Sequence, residues 1–143
     1  MAFTRKQGKT KVMYLPVTTS TAMTKGAVVR WSSGLIDLVT SSSAPSTHVG
    51  VIAKTIASTD SDYATSRLVP VEVPCDNNVT WEADVTATLV TTDLGLFVDF
   101  TDSSTLNRGA STYDVAQPVR FISTTKCWCI LNLGISGMGV VGG

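Results

Sequence analysis

Residues 67–89 read RLVPVEVPCDNNVTWEADVTATL, and this stretch decides the fold class. Apolar residues occupy every second position from 69 to 73 and again from 79 to 89. A period of two is typical of a strand that buries one face, and the Asp/Asn segment 76–78 between the two runs is typical of a turn. The stretch therefore predicts two successive strands, of which the second is central in its sheet and bent near Asp84.

Two prolines qualify the first of these strands. Pro70 and Pro74 have no amide hydrogen to donate to a neighbouring strand, and proline is therefore confined to sheet edges, strand starts and bulges. We expect the strand at 67–74 to lie at an edge of its sheet or beside a bulge.

The rest of the chain shows a similar pattern of short valine-rich runs, and it has no helix-length amphipathic stretch. Residues 26–31 and 35–39 predict a hairpin around Gly34, and Gly50 predicts a bulge or a close backbone approach in a strand at 48–54. The fold class expected is all-β: a small barrel or sandwich of short antiparallel strands, with further strands at 95–100, 116–122 and 126–133, the last buried on both faces, and loops at 41–47, 58–62 and 101–112.

Composition limits the function classes. The 143 residues include 11 Lys plus Arg and 11 Asp plus Glu, so the formal net charge is zero and nothing favours nucleic acid or anionic lipid as a partner. No apolar run reaches the length of a membrane span or resembles a signal peptide. Three cysteines cannot all be paired within one chain, which favours a reducing compartment and synthesis in a cytoplasm.

The ends of the chain differ from its middle. Residues 1–20 predict an extended N-terminal arm and linker, residues 21–134 an all-β domain with or without two subdomains at 21–92 and 93–134, and residues 135–143 a flexible Gly-rich tail. The arm carries four cations and no acid before residue 12. It is either a solvated terminus or a segment ordered by a partner, adding residues 12–15 as a strand to the partner's sheet.

Residues that could perform chemistry are sparse. The single histidine, His48, has no nucleophile or second ligand at a motif spacing, and we interpret it as a surface or turn residue. Cys127 and Cys129 share one face of a strand and are interpreted as small buried hydrophobic residues rather than as metal ligands. The three tryptophans fall on different predicted strands, which favours core packing. No catalytic residue, metal site or cofactor is expected.

The order of the elements resembles a known family. The runs Pro16-Val17, Thr24-Lys-Gly26-Ala-Val-Val, Gly34-Leu-Ile, His48-Val-Gly-Val-Ile-Ala and Leu68-Val-Pro-Val-Glu-Val resemble tailed-bacteriophage capsid decoration, or cement, proteins with a β-tulip-like module. Residues 93–100, Asp114-Val and residues 119–132 look like the strand pair that closes many small virion proteins.

The resemblance implies a non-enzymatic structural protein, assembled in the host cytoplasm, that binds the outside of a phage capsid and stabilises contacts between capsomers. It implies the major capsid protein as partner and a homo-oligomer, with a trimer favoured. The alternative is a head appendage that binds a receptor or carbohydrate, and an unrecognised enzyme would need a deep pocket containing His48 or paired acids. We further expect that residues 26–133 fold alone but bind shells poorly without residues 1–15. Residues predicted to form the capsid or subunit interface are Arg5, Lys6, Lys9, Lys11, Met13, Tyr14, Leu15, Pro70, Glu72 and Pro74.

Overall fold

The computed structural model describes residues 3–76 and 78–133, and these residues form an all-β structure of two sheets. Two short 3-10 turns, Pro45–Thr47 and Thr91–Asp93, interrupt the strands. Within the described residues the strands are β1 Thr4–Gln7, β2 Thr10–Pro16, β3 Val28–Ser32, β4 Leu35–Leu38, β5 His48–Ile52, β6 Leu68–Pro74, β7 Thr80–Thr86, β8 Asp99–Asp102, β9 Thr105–Asn107, β10 Ala116–Ser123 and β11 Lys126–Leu131.

Sheet I contains five antiparallel strands in the order β2-β6-β5-β3-β4. The predicted hairpin is confirmed as β3 and β4, whose turn uses positive φ angles at Ser33 (51°) and Gly34 (81°). The close backbone approach predicted at Gly50 is also confirmed, because a Cβ atom there would collide with the Glu72 carbonyl of β6. Glycine at this position lets β5 and β6 pair.

Sheet II has the order β10-β11-β7-β9-β8, and β1 pairs with β7 beside that path. The central position predicted for the strand after residue 79 is confirmed: β11 lies on one flank of β7, while β1 and β9 share the other flank. The strand ends at Thr86, before Ala87 takes a φ of 60°. The alternation that continues to Leu89 therefore overstates its length.

The two sheets pack as a sandwich, and neither closes into a barrel in the described part of the chain. An isolated parallel bridge between Val17 and Ile36 joins only the end of β2 to β4. Sheet I curls over its own apolar core, which includes Val29, Ile36 and Val71. Its opposite face turns valines toward sheet II, where they join a second core built around Trp81 and Phe100; these valines are Val28, Val39 and Val51.

The predicted N-terminal arm is part of both sheets. Residues 4–7 pair with β7 in sheet II, and residues 10–16 pair with β6 in sheet I. Phe3 is buried, with its ring edge-on to Phe100 at a centroid distance of 5.9 Å. The interpretation of residues 12–15 as a strand for a partner's sheet is therefore wrong for this structure, since alternate apolar side chains of β2 already pack on the core of sheet I.

The prolines of β6 did not predict its position correctly. β6 lies between β2 and β5 and is not an edge strand. Its pairing with β5 is short, covering Val71 and Glu72, while the Ala53 amide donates to the Pro70 carbonyl where that ladder ends. Pro70 and Pro74 face β5 outside this paired segment, so the amide hydrogens that they lack are not required.

Smaller departures concern the second half of the chain. The strand expected at 95–100 begins at Asp99, and the predicted loop 101–112 contains β9, which pairs with β8. β11 buries only alternate residues, Cys127, Cys129 and Leu131, and so it is not buried on both faces. Apart from β1, the strands of sheet I precede those of sheet II in the chain, and the change from one sheet to the other falls between β6 and β7. The Gly-rich tail lies outside the described residues.

Candidate functional site

The most distinctive surface of the molecule is the part of sheet I that extends beyond sheet II. Residues paired directly across antiparallel strands share a face. Val51, which faces sheet II, pairs with Glu72, and Glu72 pairs in turn with Val12 at the outer side of β2. The face that is covered at β5 therefore continues without cover over β6 and β2.

This uncovered extension is apolar. Tyr14 pairs with Pro70, and the exposed fractions of Val12, Tyr14 and Leu68 are 55%, 64% and 63%. We call the group of Val12, Tyr14, Leu68 and Pro70 the overhang. Most of the other large apolar side chains in the described residues are buried or half-buried, so the overhang is a concentration of exposed apolar surface on two neighbouring strands.

Four cations lie on β1, on β2 and between these strands, and they differ in whether they form ion pairs. Arg5 donates from Nε to Glu72 Oε2 at 2.7 Å, and Lys6 Nζ lies 3.7 Å from Glu82 Oε2. Lys9 and Lys11 are exposed and form no ion pair with another described residue. Two exposed positive charges without an ion pair to a described residue therefore lie at the N-terminal end of β2, with Lys11 on the face opposite the overhang, while the cations of β1 serve to attach that strand.

All ten predicted interface residues lie on or next to β1, β2 and β6, although not all are accessible. Leu15 and Pro74 are buried, Met13 packs partly against the core of sheet I, and Glu72 accepts hydrogen bonds from Arg5 and Thr10. The list of predicted interface residues omits Val12 and Leu68, although the segment 12–15 interpreted as a partner-binding strand includes Val12. Their signal was available, because Val12 has the same parity as Tyr14 along β2 and Leu68 the same parity as Pro70 along β6.

A cleft of about 430 Å³ lies between the N-terminal segment of sheet II and strands β5 and β6 of sheet I. Its walls include Phe3, Arg5, Lys25 and Glu72. The Arg5 to Glu72 ion pair crosses it and connects β1 of sheet II to β6 of sheet I. The cleft therefore lies at the boundary where the N-terminal segment of sheet II meets sheet I.

His48 is not the surface or turn residue that the sequence indicated. It is fully buried, its ring contacts Phe100 at a centroid distance of 5.5 Å, and its Nε2 lies 2.8 Å from Ser43 Oγ. Burial, helped by the charge of Arg30, lowers the pKa of His48 to about 4. Strand pairing of Arg30 with His48 explains the second effect.

The Ser43 and His48 pair has the distance of a catalytic dyad but not its other parts. Ser43 Oγ also accepts from the Thr40 amide and is placed to donate to the Thr40 carbonyl, so it completes a turn. His48 Nδ1 is buried and has no hydrogen-bond partner in the described structure, whereas a catalytic histidine is oriented through that atom. The pair fits a structural role between the sheets.

Aspartates that lie close together in the sequence are engaged in contacts within the chain. Asp60 and Asp62 form ion pairs with Arg67 at 3.2 Å and 3.0 Å. Asp99 is buried and accepts three backbone amides, those of residues 112–114, at 2.8–2.9 Å. Within residues 3–76 and 78–133, no group of three or more His, Cys, Asp or Glu side chains is placed to hold a metal ion.

The cysteines match their predicted role as small buried residues. Cys127 and Cys129 are both fully buried in the core of sheet II, and burial raises the pKa of Cys127 to about 12. Cys129 lies deeper, and burial raises its pKa also. Since the thiolate is the nucleophile and the metal ligand, both thiols are poor at either task.

A second cleft, of about 450 Å³, lies beside β8 and β9. Arg108 projects there with its Nε held by Asp93 at 2.9 Å, and the Val90 amide donates to the same carboxylate oxygen of Asp93 at 2.8 Å. The hydrogen bond from the Val90 amide, and after it the one from Arg108, lowers the pKa of Asp93. The cleft has both apolar and charged walls, and Leu96, Phe97 and Asp114 also line it.

Comparison with known proteins gives no family. No protein-family model matches the chain, and no curated protein matches it. No helix in the described residues is long and apolar enough to cross a membrane.

Proposed function

We propose that this protein is a structural virion protein that binds the outer surface of a phage capsid and stabilises the contacts between capsomers. The observation that carries the proposal is the overhang, an exposed apolar surface on two neighbouring strands of sheet I, with the exposed cations Lys9 and Lys11 at the start of one of them, β2. Such a surface is typical of protein interfaces, where an apolar centre is surrounded by a polar rim.

The described residues also favour adhesion over catalysis. Their polar clusters, around Asp99, Asp93 and His48, are engaged in holding loops or in packing the sheets. A cement protein needs several modest contacts, and a stable contact buries on the order of 1,200–2,000 Å². Once one contact has formed, a subunit that bridges capsomers makes its next contact at high effective concentration.

The proposal includes the major capsid protein as partner, a location on the capsid exterior and a trimeric state. A zero formal net charge and a mean hydropathy of +0.23 support self-association, since little charge repulsion separates copies. Resemblance to decoration proteins supports the trimer.

The test uses shells of the virus that encodes the chain, purified with and without the protein. We expect bound protein to raise the temperature or pressure at which shells release their contents. Tyr14→Ser and Leu68→Ser should weaken binding by about tenfold, because each removes exposed apolar surface from the contact. Leu96→Ser is the matched control, since Leu96 is also exposed, at 57%, but lies outside the overhang. Unchanged release with the protein bound would reject the cement function.

The second candidate is a head appendage that binds carbohydrate, and the cleft beside β8 and β9 favours it. Arg108 donors, the Asp114 carboxylate and the Phe97 ring supply the polar and stacking groups that saccharides require. A panel of glucose, galactose, mannose, rhamnose and N-acetylglucosamine, followed by saturation-transfer NMR, tests it. Saccharide binding that is lost in Asp114→Asn but kept in Asp102→Asn would support the appendage function. If no saccharide of the panel gives a saturation-transfer signal, this function is rejected.

A further inference from the structure

The overhang ends at a strand edge that is open for pairing. β2 pairs with β6 through seven consecutive residue pairs without a register shift, and it is the terminal strand of sheet I. On its other side, the Val17 to Ile36 bridge and the Thr18 amide bond to the Ile36 carbonyl occupy only the C-terminal end. Nothing in the described residues pairs with the edge from Thr10 to Tyr14.

The hydrogen bonds around β2 show which of its backbone groups are free. The Lys9 carbonyl accepts from Cys75, and the Val17 amide donates to Arg67, so odd-numbered residues point toward β6. Even-numbered residues point the opposite way, as the Thr18 bond confirms. The amides and carbonyls of Thr10, Val12 and Tyr14 therefore form the open edge, and side chains of the same residues border the overhang.

Sheet II protects the corresponding edge. β10 has two register shifts against β11 and contains Pro118, which cannot donate. The preceding segment also covers it: the Gly95 amide donates to the Pro118 carbonyl at 2.8 Å, and the Val98 amide donates to the Ala116 carbonyl at 2.9 Å. Bulges, prolines and covering segments protect many edge strands, and β2 has none of these between Thr10 and Tyr14. Its one protection there is the exposed Lys11, which opposes a like-charged strand but not an acidic one.

We propose that β2 binds an extended acidic segment of the capsid protein by strand addition, a mode that rests on the proposed function and defines its contact. Backbone hydrogen bonds to Thr10, Val12 and Tyr14 would supply affinity, and the segment's side chains would extend the apolar face of the overhang. Charge selects the occupant. Lys9 and Lys11 are free cations at this edge, and strand pairs of opposite charge are favoured.

The same cations disfavour a second copy of this chain on the edge. An antiparallel pairing of β2 with β2 of another copy would bring four lysines, Lys9 and Lys11 from each chain, to one four-stranded junction. Like charges directly opposite each other are destabilising, so registers that place Lys9 opposite Lys11 are disfavoured. Glu72, the nearest acid on the paired strand, is already engaged by Arg5 and Thr10.

Hydrogen exchange on shell-bound protein tests the mode directly. We expect the amides of Val12 and Tyr14 to exchange at least about tenfold more slowly when bound, while those of Met13 and Leu15 are already protected by β6. If the protein binds shells and the amides of Val12 and Tyr14 exchange at their free rates, strand addition is overturned and the proposed function stands.

A second experiment, with a synthetic peptide in place of shells, makes the test independent of shells. A synthetic peptide of alternating glutamate and valine should bind the full chain and protect the same two amides, and its lysine counterpart should not. Val12→Pro should lower the affinity for this peptide about tenfold by removing an edge donor, whereas Val12→Thr should keep it within about twofold. Thr10→Pro repeats the test if Val12→Pro fails to fold. Failure of the glutamate peptide to protect either amide rejects the acidic occupant even if shells are bound.

Discussion

At the scale of single residues, His48 makes the stability of the protein depend on pH. Its pKa is about 4 in the folded chain and 6.5 in the unfolded chain, so the unfolded state binds more protons between these values. The groups that face it are Ser43, the ring of Phe100 and the cation Arg30, and no acid among them stabilises the protonated ring. Stability is therefore complete above pH 6.5 and is lost as pH falls toward 4.

We predict that lowering the pH from 7.5 to 5 costs the wild-type protein about 2 kcal/mol through this residue. His48→Gln keeps a hydrogen-bonding side chain beside Ser43 but cannot titrate, so its stability should change much less over the same interval. Urea unfolding of both proteins at each pH measures the difference. Equal losses in the two proteins would show that other groups cause the acid sensitivity.

At the scale of elements, β1 attaches to the rest of the molecule mainly through the residue before it. Every residue of β1 is exposed, whereas Phe3 is 3% exposed and packs edge-on against Phe100. The Phe3 amide also donates to the Gly26 carbonyl of the segment leading into β3. Phe3 thus contacts both sheets, through its ring at Phe100 in sheet II and through its amide at the segment before β3 of sheet I.

We predict that Phe3→Ala lowers the free energy of unfolding by about 3 kcal/mol, because a buried aromatic ring is lost from the core of sheet II. Lys6→Ala, which removes one exposed ion pair at 3.7 Å, should change it by less than about 0.5 kcal/mol. Chemical denaturation of the two variants gives both values. A Phe3→Ala protein as stable as the wild type would restore the view of the segment as a detachable arm.

The same element shows what the sequence could and could not reveal. Alternation of apolar residues located β6 and β7, and Gly34 located the hairpin, because these signals are local. The placement of β1 and β2 could not be predicted, since four cations before residue 12 resemble a disordered terminus until Glu72 and Glu82 arrive from distant strands. The burial of His48 was not predicted for a related reason. It depends on Phe100, which is fifty-two positions away in the printed sequence.

The residues of the overhang were predicted only in part, and the reason is again that the missing information is tertiary. Residues of β2 and β6 were nominated together, and the structure brings them together. Which side of each strand stays exposed depends on how far sheet II extends over sheet I, and that is a property of tertiary packing. Val12 and Leu68 were therefore omitted from the predicted interface residues, while buried Leu15 and Pro74 were included.

At the scale of the whole molecule, the shared core makes the two sheets one folding unit. Val28 and Val51 belong to sheet I by pairing and Val39 directly follows β4, but all three pack in the core of sheet II with Trp81. The Val28 amide also donates to the Ser103 carbonyl at 2.8 Å, which joins β3 to the β8 to β9 turn. Unfolding either sheet would expose part of the apolar core of the other, so partial unfolding has a high free-energy cost.

We predict one cooperative unfolding transition for the full chain. Fluorescence of Trp81, isolated by replacing Trp31 and Trp128 with Phe, reports sheet II, and amide exchange of Ile52 and Val71 reports sheet I. Val51→Ala should lower the midpoints of both signals together, by about 1–2 kcal/mol of stability, because the valine packs between the sheets. Val12→Ala is the matched control and should move neither, since Val12 is 55% exposed. Two separate midpoints in the parent protein, or a Val51→Ala effect confined to one signal, would show that the sheets fold independently. For the proposed bridging of capsomers the consequence is mechanical: force applied at the overhang would be resisted by both cores rather than by sheet I alone.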